Sequence, residues 1–289
     1  MAFNDLVAQK IKDFEQQGIP QVFERDLDLG NPQEPKRDNI VYVIVGARRC
    51  GKTYRLYQEI RRLQGQGVEL DRMLYFNFED ERLRPYEPSL LADVLDTFYA
   101  LYPAARGEGA YLFFDEIQEI PEWGAFLRRV VDTEKATVYV TGSSSKMLSS
   151  ELKSEFRGRS LVRESFSVVV FRNTSDIRTG GVPESNAPFS SSAAALLRHH
   201  LVGYLERGGF IATLEQTPAD AIQLLQEYAS RTVAMDVVER YDVKNPRLAS
   251  TVSGAVHGIF GTRAVSEQSV QRVQEQTDIR QSKYAQRLT

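Results

Sequence analysis

The stretch Gly46-Ala47-Arg48-Arg49-Cys50-Gly51-Lys52-Thr53, followed by Tyr54, satisfies the spacing G-x-x-x-x-G-K-[ST]. Its chemistry is that of phosphate. Glycine takes backbone angles that turn amide N–H groups inward around an anion, lysine neutralises the β and γ phosphates, and the threonine hydroxyl ligates Mg²⁺. Residues 46–54 are therefore the candidate binding loop. Arg48 and Arg49 hold unconstrained positions that suit either solvation or contact with phosphate or a partner. The pattern assigns no base to Cys50, which reads as a small packed loop residue rather than a nucleophile.

A second element, "YLFFDEIQEI", carries Asp115 and Glu116 directly after four apolar residues. Ligands bind at the carboxyl ends of strands in open parallel sheets. Asp115 there can hold Mg²⁺ through its water shell, and Glu116 is placed to polarise an attacking water, which separates hydrolases from proteins that only bind or transfer. The plain alternative is a pair of acids favoured by a helix N-terminus. A third element is "VTGSSSKMLSSELKSEFRGR". Ser143 or Ser144 at a strand tip could sense the terminal phosphate, although serine clusters also cap helices. Arg157 and Arg159 could offer a guanidinium to transition-state charge in their own site or a neighbour's; a solvated surface pair is the other reading.

These residues need a scaffold, and the hydrophobic pattern supplies one. Apolar, β-rich runs occur at Ile40 to Val45, Met73 to Phe78, Tyr111 to Phe114 and Ala136 to Thr141, with a fifth strand expected within Leu161 to Phe171. Helical patterns lie between them, as in "TYRLYQEIRRLQ" and "SLLADVLDTFYALY", and a helix is expected over Asn4 to Gln17. Strands alternating with helices imply a mainly parallel α/β sheet covered by helices. Arg172 to Ser192 is rich in Ser, Asn, Gly and Pro and reads as a linker or mobile loop. Beyond it the pattern is helical, with a Gly-Gly stop at Gly208 and Gly209. The expected organisation is a core with an N-terminal helix over residues 1–171, a linker over 172–192 and a smaller all-helical domain over 193–289.

Composition narrows the alternatives. The chain has 289 residues, 42% hydrophobic and 26% charged, with formal net charge −3. Such a balance does not suit a surface that coats nucleic acid or an anionic membrane. Cys50 is the single cysteine, which excludes an internal disulfide and a cysteine-based zinc site and leads to the expectation of a cytoplasmic protein. His199, His200 and His257 are scattered and do not suggest a metal site. No signal peptide is read at the N-terminus, and no apolar run reaches the roughly 18 residues of a membrane span. The absence of an N-K-x-D element argues against a guanine-selective protein.

With these residues in view, the chain resembles a family of bacterial and archaeal AAA+-type P-loop ATPases, in which an ATPase core precedes a winged-helix-like segment and a C-terminal domain of unknown function. The resemblance lies in "GARRCGKTY", "YFNFEDERL", "LFFDEIQEIPEWGAFLRRVVD", "TGSSSKMLSSEL", "RGRS", "YLERGGF" and "MDVVERYDVKNPRL", in that order. It implies an AAA+-like P-loop NTPase fold and ATP hydrolysis. Lys52 and Thr53 would meet the phosphates and Mg²⁺, and Asp115 and Glu116 would form the Walker B pair. Ser144 would match the sensor, and Arg159 the arginine of the Gly-Arg block. Glu79 and Asp80 match an acidic block whose task the sequence leaves open, a solvated strand end being equally compatible. Two departures stand out. The usual Gly-Gly-Phe-Pro reads Gly-Gly-Phe-Ile at Gly208 to Ile211, and relatives continue well beyond this length. The end of the chain reads as the first helices of a winged helix without its wing, so a truncated or degenerate form is expected.

The leading expectation is an ATP-driven conformational switch acting on an unknown protein or DNA partner, with a homo-oligomer possible and no membrane insertion. A nucleotide-independent DNA-binding regulator is the second reading. Between Ser266 and Thr289, however, Arg272, Arg280, Lys283 and Arg287 barely outnumber Glu267, Glu275 and Asp278. A small-molecule kinase is the third, and it leaves Glu116 without a purpose.

Overall fold

Alternating side chains along the first four strands divide the core between the two faces of one sheet, and that division locates the candidate site. The computed structural model describes residues 5–22, 29–30, 33–46, 48–143, 160–164, 191–207, 209–214 and 216–232. The strands are β1 (Val41–Gly46), β2 (Met73–Asn77), β3 (Ala110–Asp115), β4 (Ala136–Ser143) and β5 (Ser160–Glu164), in the order β2-β3-β4-β1-β5. Every pairing is parallel. β4 therefore lies between the strand leading into the glycine loop and the strand ending in the acids.

Helices α1 (Asp5–Gln17), α2 (Lys52–Gly65), α3 (Ser89–Leu101), α4 (Pro103–Glu108) and α5 (Trp123–Thr133) accompany the sheet. One face buries Val41, Val43 and Val45 with Phe76, Phe114 and Val140 against apolar residues of α1, α3 and α5. On the other face lie Tyr42, Ile44, Tyr75, Phe113 and Tyr139, joined by Leu56, Ile60 and Leu63 of α2 at helical spacing. Burying each of those three aliphatic side chains stabilises the packing by about 1.5–3 kcal/mol. The rings of Tyr42, Tyr139 and Phe113 stack in sequence, with centroids 4.7 and 4.8 Å apart. Beneath α2 a buried ion pair joins Arg55 to Glu59 at 3.1 Å, and Glu59 also accepts from the Tyr139 hydroxyl at 3.5 Å.

The period of two has a direct consequence. Asp115 shares the parity of Phe113, as Thr141 shares that of Tyr139, so both face α2 together with Tyr75. The chain divides into two compact units, Met1–Val169 and Val170–Thr289. In the second, the described helices are α6 (Ser191–Arg207), α7 (Ile211–Leu214) and α8 (Pro218–Thr232). Since α6 begins at Ser191, the last two residues expected in the linker are helical. The rest of that linker, the expected winged-helix-like segment, Ala47, Ser144, Arg157 and Arg159 lie outside the described residues.

Candidate functional site

β1 ends at Gly46, and α2 starts at Lys52 after a turn that needs unusual backbone angles. Gly51 has φ 90°, in the left-handed region where a side chain is strained; Arg49 has φ 61° and is exposed. No side chain caps α2 at Gly51, and its first turn holds no acid, so the positive dipole end of the helix suits an anion. Arg48 donates to Glu79 at 2.8 Å and Cys50 is 5% exposed, which agrees with a packed loop residue. Tyr54 is exposed and meets the Tyr57 ring edge-on.

The lysine and the second acid meet in the hollow of this loop. Lys52 is buried; its Nζ lies 3.0 Å from Glu116 Oε1 and donates to the Gly46 carbonyl at 3.4 Å. Glu116 leaves β3 in the left-handed conformation, φ 54° and ψ 41°, and opens a short 3-10 turn, Ile117–Glu119. That backbone costs about 1 kcal/mol or more for a non-glycine residue. Three contacts offset it: the Lys52 pair, the Glu116 N–H bond to Thr141 Oγ1 at 3.0 Å, and a bond from Gln118 Nε2 to Glu116 Oε2 at 2.6 Å.

Asp115 is fully buried and surrounded by hydroxyls. Thr53 Oγ1 and the Tyr75 hydroxyl donate to Oδ2 at 2.7 and 2.9 Å, and Thr141 donates to Oδ1. Burial pushes the Asp115 carboxyl above its ordinary value, against these three hydrogen bonds. The same burial, with the Asp115 charge next to it, drives the Tyr75 hydroxyl far upward, so Tyr75 remains a donor. The arrangement suits a hard cation. With its proton directed to Asp115, the Thr53 oxygen turns its lone pairs outward, and a magnesium ion takes such oxygen ligands while keeping most of its water shell.

Thus Lys52, Thr53, Asp115 and Glu116 meet at the carboxyl ends of β1 and β3, whereas Ser144 and Arg159 cannot be located among the described residues. Sequence reasoning missed Tyr75, Thr141 and Gln118. A polar residue closing an apolar strand, as in "VYVTG", was the available signal for Thr141; Tyr75 within "MLYFN" offered none beyond core aromaticity.

Residues 38–171 match the family described as an AAA domain. Over 223 residues the chain is 32% identical to an uncharacterized protein of Methanocaldococcus jannaschii, an alignment covering 77% of this chain and 47% of that protein. An uncharacterized protein of Haemophilus influenzae is 31% identical over 127 residues, 43% of this chain and 30% of its own length. The chain therefore spans less than half the length of either relative. Among solved structures, AMPPCP-bound DnaA from Aquifex aeolicus aligns with TM-score 0.38 and 14% identity, covering 87% of this chain and 76% of that one. A DNA replication initiation factor aligns with TM-score 0.34 and 13% identity, covering 96% and 89%. Among the described residues, no helix is long and apolar enough to cross a membrane.

Proposed function

We propose that this protein binds ATP with Mg²⁺ and hydrolyses it, and that the cycle drives a conformational switch on a macromolecular partner. The observation that carries the reading is the meeting of Lys52 with Glu116 and of Thr53 with Asp115 at one end of a parallel sheet. The AAA-domain match over the same residues supports nucleotide binding. Lys52, now held by Glu116, transfers to the β and γ phosphates, which meet the loop N–H groups of residues 46–54. Thr53 and Asp115 hold Mg²⁺, which supplies charge neutralisation across the phosphates. Glu116, released by the lysine, accepts a proton from water as the water oxygen bonds to the γ-phosphorus. The bond from that phosphorus to the bridging oxygen breaks, leaving ADP and phosphate.

Ser144 and Arg159 take the sensor and arginine roles by resemblance, the arginine in its own site or in that of a second copy. The single cysteine agrees with work in the cytoplasm. Lys52→Ala leaves phosphate charge facing an uncompensated loop, so millimolar Mg-ATP should raise the melting temperature of wild type and leave the variant almost unmoved. No shift in wild type would end the nucleotide reading. A non-hydrolysing nucleotide-dependent regulator is the second reading, favoured if wild type binds ATP and never turns it over.

A further inference from the structure

One buried side chain beside the acids has no part in that scheme. Gln118 is 8% exposed and lies in the 3-10 turn that follows Glu116. Its Nε2 donates to Glu116 Oε2 at 2.6 Å and to Glu119 Oε1 at 3.3 Å. Two carboxylates fix which end of the amide is nitrogen, because the reversed amide would set its oxygen against both. The other end, Oε1, is buried and accepts no hydrogen bond. A buried acceptor without a donor is destabilising, and a side chain that only filled volume would not incur that cost. Donation to the acids is what sets the amide in place.

The two oxygens of Glu116 are divided between partners of different fates. Oε1 faces Lys52 at 3.0 Å, and Oε2 faces Gln118. Once the lysine moves to phosphate, the amide is, among the described residues, the side-chain contact that still constrains the carboxylate. We infer that Gln118 is the positioning residue of hydrolysis: it anchors Glu116 Oε2 so that Oε1 is the atom presented to the attacking water. This rests on the hydrolytic reading above. Water gives its proton to Oε1 and its oxygen to the γ-phosphorus, the bond from that phosphorus to the bridging oxygen breaks, and Gln118 neither gains nor loses a proton.

Gln118→Met keeps an unbranched side chain of similar length and removes the donor. In the full chain with Mg-ATP, it should leave KM within about twofold and lower kcat by about 10- to 100-fold, the scale of a misoriented catalytic group. In a Glu116→Gln background, measured by single-turnover hydrolysis, Gln118→Met should cause no further fall, because its effect passes through the carboxylate. A merely structural role predicts that the two losses multiply. Should Gln118→Met fail to fold by circular dichroism, Gln118→Glu, which is isosteric and sets a carboxylate against Glu116, enters the same cycle with the same expectation. Wild-type kcat in either folded variant, or losses that multiply in full, overturns the inference while the hydrolytic reading stands. Absence of turnover in wild type overturns both.

Discussion

Neighbouring strands β2 and β3 each lead into a pair of acids, Glu79-Asp80 and Asp115-Glu116, and the two pairs live in opposite surroundings. Asp115 is buried among neutral hydroxyls from Thr53, Tyr75 and Thr141. Glu79, 46% exposed at its side chain, pairs with Arg48, and Asp80 joins Lys10 of α1 and Arg82. A carboxylate ringed by neutral donors keeps its charge available to an incoming cation, while one already paired with lysine and arginine is committed to fastening the chain. The electrostatics diverge accordingly. Burial raises the Asp115 carboxyl, whereas Arg82 and Lys10 hold that of Asp80 far below the usual range. The block whose task the sequence left open thus ties the end of β2 to the glycine loop and to α1.

The largest effect that would sharpen this contrast belongs to Glu116. Glu116→Gln keeps shape and much of the hydrogen bonding but removes the proton acceptor, so kcat should fall by roughly 10²- to 10⁴-fold with ATP affinity retained. Equal hydrolysis by wild type and variant would leave the acids of β3 as structural as those of β2.

How much of this could be read beforehand depends on the range of the interaction. Apolar runs and the G-x-x-x-x-G-K-[ST] spacing are local, and they located the first four strands within one or two residues and named Lys52, Thr53, Asp115 and Glu116. The partners of those residues are not local. Thr141 reaches Asp115 only because β4 pairs beside β3, a choice made by packing across the sheet. Tyr75 looks like one more core aromatic until strand order sets it next to β3. Nothing in "EIQEI" tells which polar side chain turns inward, since the left-handed backbone at Glu116 decides it. The pairing of Arg48 with Glu79 likewise joins two loops that periodicity does not relate.

Asp115→Asn is the next test, and its two readouts move in opposite directions. Mg-dependent ATP affinity should weaken by roughly 10- to 100-fold, as when a group supporting a metal site is removed. Stability without metal behaves otherwise. The folded carboxyl is raised, so between the ordinary carboxylate value and the raised one the folded state binds more protons than the unfolded state. Wild type therefore loses stability as pH rises through that window. Asparagine has no charge to bury, so in chelator the variant should gain on wild type with rising pH. A constant difference across pH, by chemical denaturation, would mean that Asp115 does not bear the desolvation described.

Asp80→Asn should give the smallest effect and the opposite pH sign. Here the folded carboxyl is depressed, so the unfolded state binds more protons between the folded value and the ordinary one near about 3.9. The stabilisation is complete above the ordinary value and is lost as pH falls through the depressed one. At neutral pH the variant should melt roughly 2–4 °C lower, a modest amount because Arg82 is 55% exposed and solvent screens its share. Lys10, at 14%, is the better shielded partner and should carry more of the loss. The gap between variant and wild type should close on acidification, and kcat should stay within about twofold because Asp80 does not touch the proposed phosphate site. A fall in turnover as large as that of Glu116→Gln would instead mean that the block after β2 works in the chemistry, and the division drawn between the two acid pairs would fail.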